Sequence, residues 1–72
     1  MKVDSVEIPT PESALSTVAL TAEIDGWPAG TVGTLVETFP HEGFVEIVDD
    51  EGRTRAIVTA PYSSLRLSGT DR

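Results

Sequence analysis

Between Thr17 and Leu67 apolar residues recur at every second position, and clusters of Gly, Pro and Asp break the run at short intervals. Period two puts side chains on alternate faces of a strand, whereas an amphipathic helix needs a period of 3.6. The pattern therefore restricts the chain to sheet. The one helical candidate, Pro11-Glu12-Ser13-Ala14-Leu15-Ser16, is shorter than the ~12 residues at which an isolated helix becomes even marginal.

The breaks divide the pattern into five strands. Thr17 to Ile24 alternates Val18, Leu20, Ala22 and Ile24 against Thr17, Ala19, Thr21 and Glu23, and stops at the loop Asp25–Gly30. Thr31 to Phe39 follows, with a bulge or bend expected at Gly33. After the turn Pro40-His41-Glu42-Gly43, Phe44 to Val48 puts Val45 and Ile47 on one face and Phe44, Glu46 and Val48 on the other. Asp49-Asp50-Glu51-Gly52 reads as a tight hairpin turn. Thr54 to Thr59 or Ala60 is the fourth strand. Pro61-Tyr62-Ser63-Ser64 predicts a 3-10 turn before a short closing strand, Leu65 to Leu67.

These features predict an all-β fold: a small, five-stranded, antiparallel SH3-like barrel with a 3-10 turn before the last strand. Curling a small sheet protects most of its edges. The runner-up is a flat meander that completes its core by dimerisation. Residues 1–13, with Pro9 and Pro11, read as a flexible or strand-adding tail. Residues 14–67 form the barrel, and 68–72 fray.

Composition narrows function more by exclusion than by assignment. At 72 residues the chain is one domain, with 12 acids, 5 Lys and Arg, and a net charge of -7. The absence of Cys excludes disulfides and thiolate-ligated zinc. The acidity opposes direct nucleic-acid binding and favours a basic protein partner. No signal peptide or membrane-length apolar run is visible, so cytoplasmic residence is expected.

No catalytic constellation is recognisable, and no cofactor is expected. The one histidine, His41, sits in a turn, and no serine lies in a nucleophile elbow. The Gly26–Gly33 segment lacks the Lys-Ser/Thr of a phosphate loop and leads into a strand. The run Asp49-Asp50-Glu51 lacks EF-hand spacing, and turn formation is its simpler reason. Phe39 and Phe44 flank a turn and are expected to pack on each other. Arg53 and Arg55 are expected to pair across strands with Glu46 or Asp49.

Ala29-Gly30-Thr31-Val32-Gly33-Thr34-Leu35-Val36-Glu37, Phe44-Val45-Glu46-Ile47-Val48-Asp49, Asp50-Glu51-Gly52-Arg53-Thr54 and Ala56-Ile57-Val58-Thr59 together resemble a family of short bacterial proteins defined only as a domain of unknown function. That family's pattern is Gly-Asp-x-Gly-Thr-Val-Val, Tyr-x-Val-Glu-Phe, Asp-Gly-Arg-Thr and a strand ending Leu-Thr-Leu-Pro. This chain departs from it at Thr31, Phe44, Ile47 and Ala60. The segment is also similar to small barrels with a KOW motif. The first resemblance implies no catalysis and an antitoxin or immunity role. The second implies RNA association, which the charge opposes.

The expected function is a non-catalytic, acidic protein-interaction module that occludes a basic surface of its partner, such as a toxin. The expected contacts are Glu42, Glu46, Asp49, Asp50 and Glu51, with Trp27 and Tyr62 as apolar anchors. Trp27 has a competing role as a cap on the open end of the barrel. The alternatives are a self-associating structural barrel, with Leu15–Ile24 or Val3–Ile8 as the pairing edge of a homodimer, and a KOW-like RNA-associated barrel.

Overall fold

Five strands form where the alternation places them: β1 (Thr17–Leu20), β2 (Val32–Thr38), β3 (Glu42–Val48), β4 (Thr54–Pro61) and β5 (Leu65–Leu67). The structure is a computed structural model and describes residues 8–68. All ladders are antiparallel, and the sheet order is β4-β3-β2-β1-β5. That is the strand order of an SH3-like barrel. The 3-10 turn Tyr62–Ser64 joins β4 to β5, and a second one covers Pro11–Ser13.

One core draws on every strand. Val18 and Leu20, Leu35, Val45 and Ile47, Val58 and Ala60, and Leu65 form a single buried cluster with Tyr62. In the single chain Val58 and Ala60 of β4 are 4% and 0% exposed and Leu65 of β5 is 1% exposed, so the sheet covers its own inner face. The core thus closes within one chain, unlike that of a flat meander.

The first strand is shorter than predicted. It ends at Leu20, whose carbonyl accepts from the Gly30 N–H, while the Thr21 N–H turns to the Ser64 carbonyl. Ala22 is exposed. Ile24 and Trp27 instead close a miniature hairpin, exchanging hydrogen bonds of 3.0 and 2.8 Å. Its central residues, Asp25 and Gly26, take φ of 52° and 87°, the geometry that Asp-Gly favours in a two-residue turn. Within β1, Ala19 is buried as well as its neighbours Val18 and Leu20, and the strand is paired on both sides. The same pairing rules out Leu15–Ile24 as a free edge.

Gly33 is not the bulge. The register of β2 against β3 shifts between Leu35 and Glu37, which leaves Val36 as the extra residue. Gly33 serves close approach: a Cβ there would stand 2.6 Å from the Glu46 carbonyl oxygen and 2.7 Å from Val45 Cγ1. Glu42 and Gly43, expected in a turn, belong to β3.

Of the predicted tail, residues 1–7 lie outside the described residues, as do 69–72 at the other end. Pro9 is buried, and Pro11–Ser13 packs beside β2. The Leu15 N–H donates to the Leu35 carbonyl, and the Leu35 N–H returns to Ser16. Attachment to the sheet therefore begins before residue 14.

Tyr62 locks the far end of the sheet. Its hydroxyl donates to the Phe39 carbonyl at 2.5 Å and accepts from the Phe39 N–H at 3.1 Å. Phe39 also closes the β2–β3 turn through its N–H to the Glu42 carbonyl. Gly43 lies over the ring and permits close packing there: a Cβ would stand 2.5 Å from Leu35 Cδ1 and 2.7 Å from the Glu37 carbonyl oxygen.

Two substitutions test these contacts by urea denaturation. Gly33→Ala is expected to force β2 and β3 apart and destabilise by about 1–3 kcal/mol. Tyr62→Phe keeps the packing but removes the hydroxyl that donates to the Phe39 carbonyl, with an expected loss of about 0.5–1.5 kcal/mol.

Candidate interaction surface

The β3–β4 hairpin tip is built around Asp49. Its Oδ1 accepts from the Glu51 N–H at 2.9 Å and the Arg53 N–H at 3.0 Å. Its backbone accepts from the Gly52 N–H, and Gly52 takes φ of 81° to turn the chain. Short side-chain acceptors of this kind stabilise turns by mimicking backbone bonds. Asp49 Oδ2 also faces Arg53 Nε at 3.4 Å and an Arg55 guanidinium nitrogen at 3.9 Å. Glu51 pairs with Arg53 at 2.6 Å. The Arg53 backbone N–H, then the Glu51 N–H and the two guanidinium groups, hold the Asp49 carboxyl below its usual pKa.

The acidic run is therefore largely answered by its own neighbours. Among the described residues only Asp50 of the three has no side-chain ion pair or hydrogen bond. Asp49, Asp50, Glu51 and Arg53 line a depression of about 310 Å³ that is polar and open to solvent. Small-molecule sites are mostly apolar and enclosed, so this depression does not resemble one. No three His, Asp or Glu side chains converge as a metal-ligand set among the described residues.

A different surface emerges on the outer face of β2, β3 and β4. Along β3 the inward residues are Gly43, Val45 and Ile47, so Glu42, Phe44, Glu46 and Val48 point outward. Glu37 stands opposite Phe44, and Ile57 stands opposite Glu46. Phe44, Val48 and Ile57 are 37%, 44% and 60% exposed. Phe39 meets Phe44 edge to face, with centroids 5.1 Å apart, as their positions about the turn predict. Glu46 is held by the Thr54 hydroxyl rather than by an arginine. The result is an apolar strip with carboxylates among and beside its residues.

The predicted contacts divide across this geometry. Glu42 and Glu46 share the outer face, and the Asp49–Glu51 tip continues from the same strand. Trp27 is half-buried and packs with Ile24 against the core, which matches its role as a cap. Tyr62 is only 7% exposed, and its hydroxyl is engaged at Phe39. It is a core residue beneath Gly43, which takes it out of the set of surface anchors. The exposed large apolar residues of this face, which the residue-type argument passed over, are Phe44, Val48 and Ile57. Their signal was present in the alternation: with Val45, Ile47 and Val58 inward, these three must face out.

His41 is exposed in its turn, and its carbonyl accepts from the Tyr62 N–H. Arg66 lies on β5, on the far side of the sheet from the tip, and Arg53 and Arg55 sit among acids. The three arginines thus form no acid-free basic face. No helix among the described residues is long and apolar enough to cross a membrane. Comparison of the chain with protein families, curated proteins and solved structures finds no match.

A depressed carboxyl stabilises the fold above its ordinary pKa, near 3.9, and that stabilisation is lost as pH falls through the lower folded value. Asp49→Asn keeps a turn acceptor and removes the charge. Its melting temperature is expected to fall below that of the wild type at pH 7. The gap should narrow as pH drops below 4, as followed by circular dichroism melts.

Proposed function

We propose that this chain is a non-catalytic, acidic protein-interaction module of the cytoplasm that covers a basic surface of a partner protein. The observation that carries the proposal is the outer face of β3, where Glu42, Phe44, Glu46 and Val48 alternate and Ile57 and Glu37 extend the band. Exposed apolar strips rimmed by charge are typical of protein contact surfaces. The apolar side chains supply contact area, and the carboxylates steer a basic partner and set its register.

The mechanism is occlusion. A partner that uses a basic surface on nucleic acid would lose that surface on binding. This fits an antitoxin or immunity role, the one suggested by the resemblance to short bacterial proteins. Asp50 at the hairpin tip extends the acidic band, and Asp49 and Glu51 contribute less because Arg53 and Arg55 already answer them.

The test uses the partner captured by the tagged chain from native lysate. Its affinity is measured for wild type and for the triple variant Glu42→Gln, Phe44→Ser, Glu46→Gln, at low and high salt. The proposal expects a partner with a basic surface, and a loss of at least about tenfold (about 1.4 kcal/mol) both from the substitutions and from the added salt. A partner indifferent to both overturns it.

A further inference from the structure

Among the described residues β4 is the longest strand, eight residues, and it is an edge: its only ladder there is with β3. The backbone N–H and C=O groups on the side of an edge strand away from its neighbour are unpaired and offer a template for another strand. Proteins blunt such edges with a mid-strand proline, an inward-pointing charge, a bulge or a very short strand. β5, the other edge, has only three residues, one of them Arg66. β4 has its blunting devices only at its ends. The register shift falls between Ile47 and Val48, beside Arg55, and Pro61 is the last residue. From Ala56 to Ala60 the ladder is unbroken, and every residue is uncharged. Ile57, at the centre of the strand, projects outward and is the most exposed of its large residues.

Charge is distributed asymmetrically along this edge. The hairpin end carries Arg53 and Arg55. The opposite end lies beside Glu42, which is paired in register with Pro61, and Glu37 lies in the row of Phe44 and Thr59. A parallel pairing of two β4 strands would set arginine against arginine. An antiparallel pairing centred on Ile57 sets Arg55 of one copy opposite Thr59 of the other, and Arg53 opposite Pro61. Strands in a sheet are about 4.8 Å apart and rise about 3.4 Å per residue, so Glu42 is then two strand spacings across from the other copy's Arg53, and with the two-residue offset about 12 Å backbone to backbone from its Arg55. That distance suits an extended Arg–Glu pair. Arg55 has the loosest intramolecular partner, 3.9 Å from Asp49, and is the one placed to change partners.

We propose that a second copy of this chain pairs with β4, antiparallel and centred near Ile57, to give a two-fold dimer with one sheet continuous across both copies. The two-fold uses each β4 edge once and, among the described residues, leaves only the short β5 edges, so assembly stops at the dimer. The arrangement rests on the backbone edge of β4 and shares Ile57 and Glu42 with the partner surface proposed above; amide protection in β4 at high concentration of the chain alone reads the dimer apart from that surface.

Sedimentation velocity on the intact chain, from about 1 μM to about 1 mM, is expected to show the mass doubling with concentration. Ile57→Lys sets two like charges opposite each other and should weaken dimerisation at least about tenfold. Arg55→Glu should weaken it as well, and the charge swap Glu42→Arg with Arg55→Glu should recover most of the loss. Amide hydrogen exchange of the wild type supplies a readout that needs no variant: the unpaired amides between Ala56 and Ala60 should gain protection as concentration rises. A chain that stays monomeric throughout overturns the proposal. So does a dimer that forms without added protection in β4, or one that Ile57→Lys leaves intact.

Discussion

The fold depends on β2 serving two neighbours at once. Val32 to Thr34 pair with β1, Thr34 to Thr38 pair with β3, and Thr34 belongs to both ladders. A strand shared in this way must bend if the two halves of the sheet are to enclose one core. Two local devices permit the bend. Gly33 has no side chain, so the β3 backbone passes where a Cβ would stand 2.6 Å from the Glu46 carbonyl oxygen. The extra residue at Val36 then shifts the register and adds local twist. Between them lies Leu35, completely buried at the centre of the core.

The remaining contacts close what β2 bends. The Ile24–Trp27 turn packs two apolar side chains against the core from the β1–β2 loop. Tyr62 reaches across from the 3-10 turn to satisfy both backbone groups of Phe39. In so small a domain these closures matter, because only about 60% of the chain's surface can be buried and no second layer exists. Aromatic residues that look like surface anchors are drawn inward by that need. Trp27 and Tyr62 are both spent on the core, and the outward apolar positions fall to Phe44, Val48 and Ile57.

Charge follows the same division. The densest acidic run, Asp49-Asp50-Glu51, is tied into its own turn and answered by Arg53 and Arg55. The sparser acids Glu37 and Glu42 stand clear on or beside the outer face, while Glu46 holds the Thr54 hydroxyl there. Sequence density is thus a poor guide to where negative charge is presented. A hairpin tip concentrates acids because Asp suits turns, and the same geometry brings neutralising neighbours within reach. A strand face spaces its acids two residues apart and leaves each to solvent or to a partner.

Much of this was legible in the alternation. β5 and the hairpin tip coincide with their predicted limits, the 3-10 turn is one residue shorter than predicted, and the inward and outward residues of β3 are as predicted, because strand parity is a local property. The end of β1 was not legible. Thr21 to Ile24 continue the alternation, and only the Asp25-Gly26 pair signalled a separate turn. The edge role assigned to Leu15–Ile24 also failed, since edges are set by which strands flank which. The sequence by itself determined an antiparallel sheet with one apolar face, since period-two patterning and turn chemistry act over a few residues. Only the tertiary structure decided which strand lies at the edge, which aromatics enter the core and which acids remain unanswered. Those outcomes depend on pairings between residues far apart in the chain, such as Phe39 with Tyr62 and Gly33 with Glu46, and no local pattern encodes them.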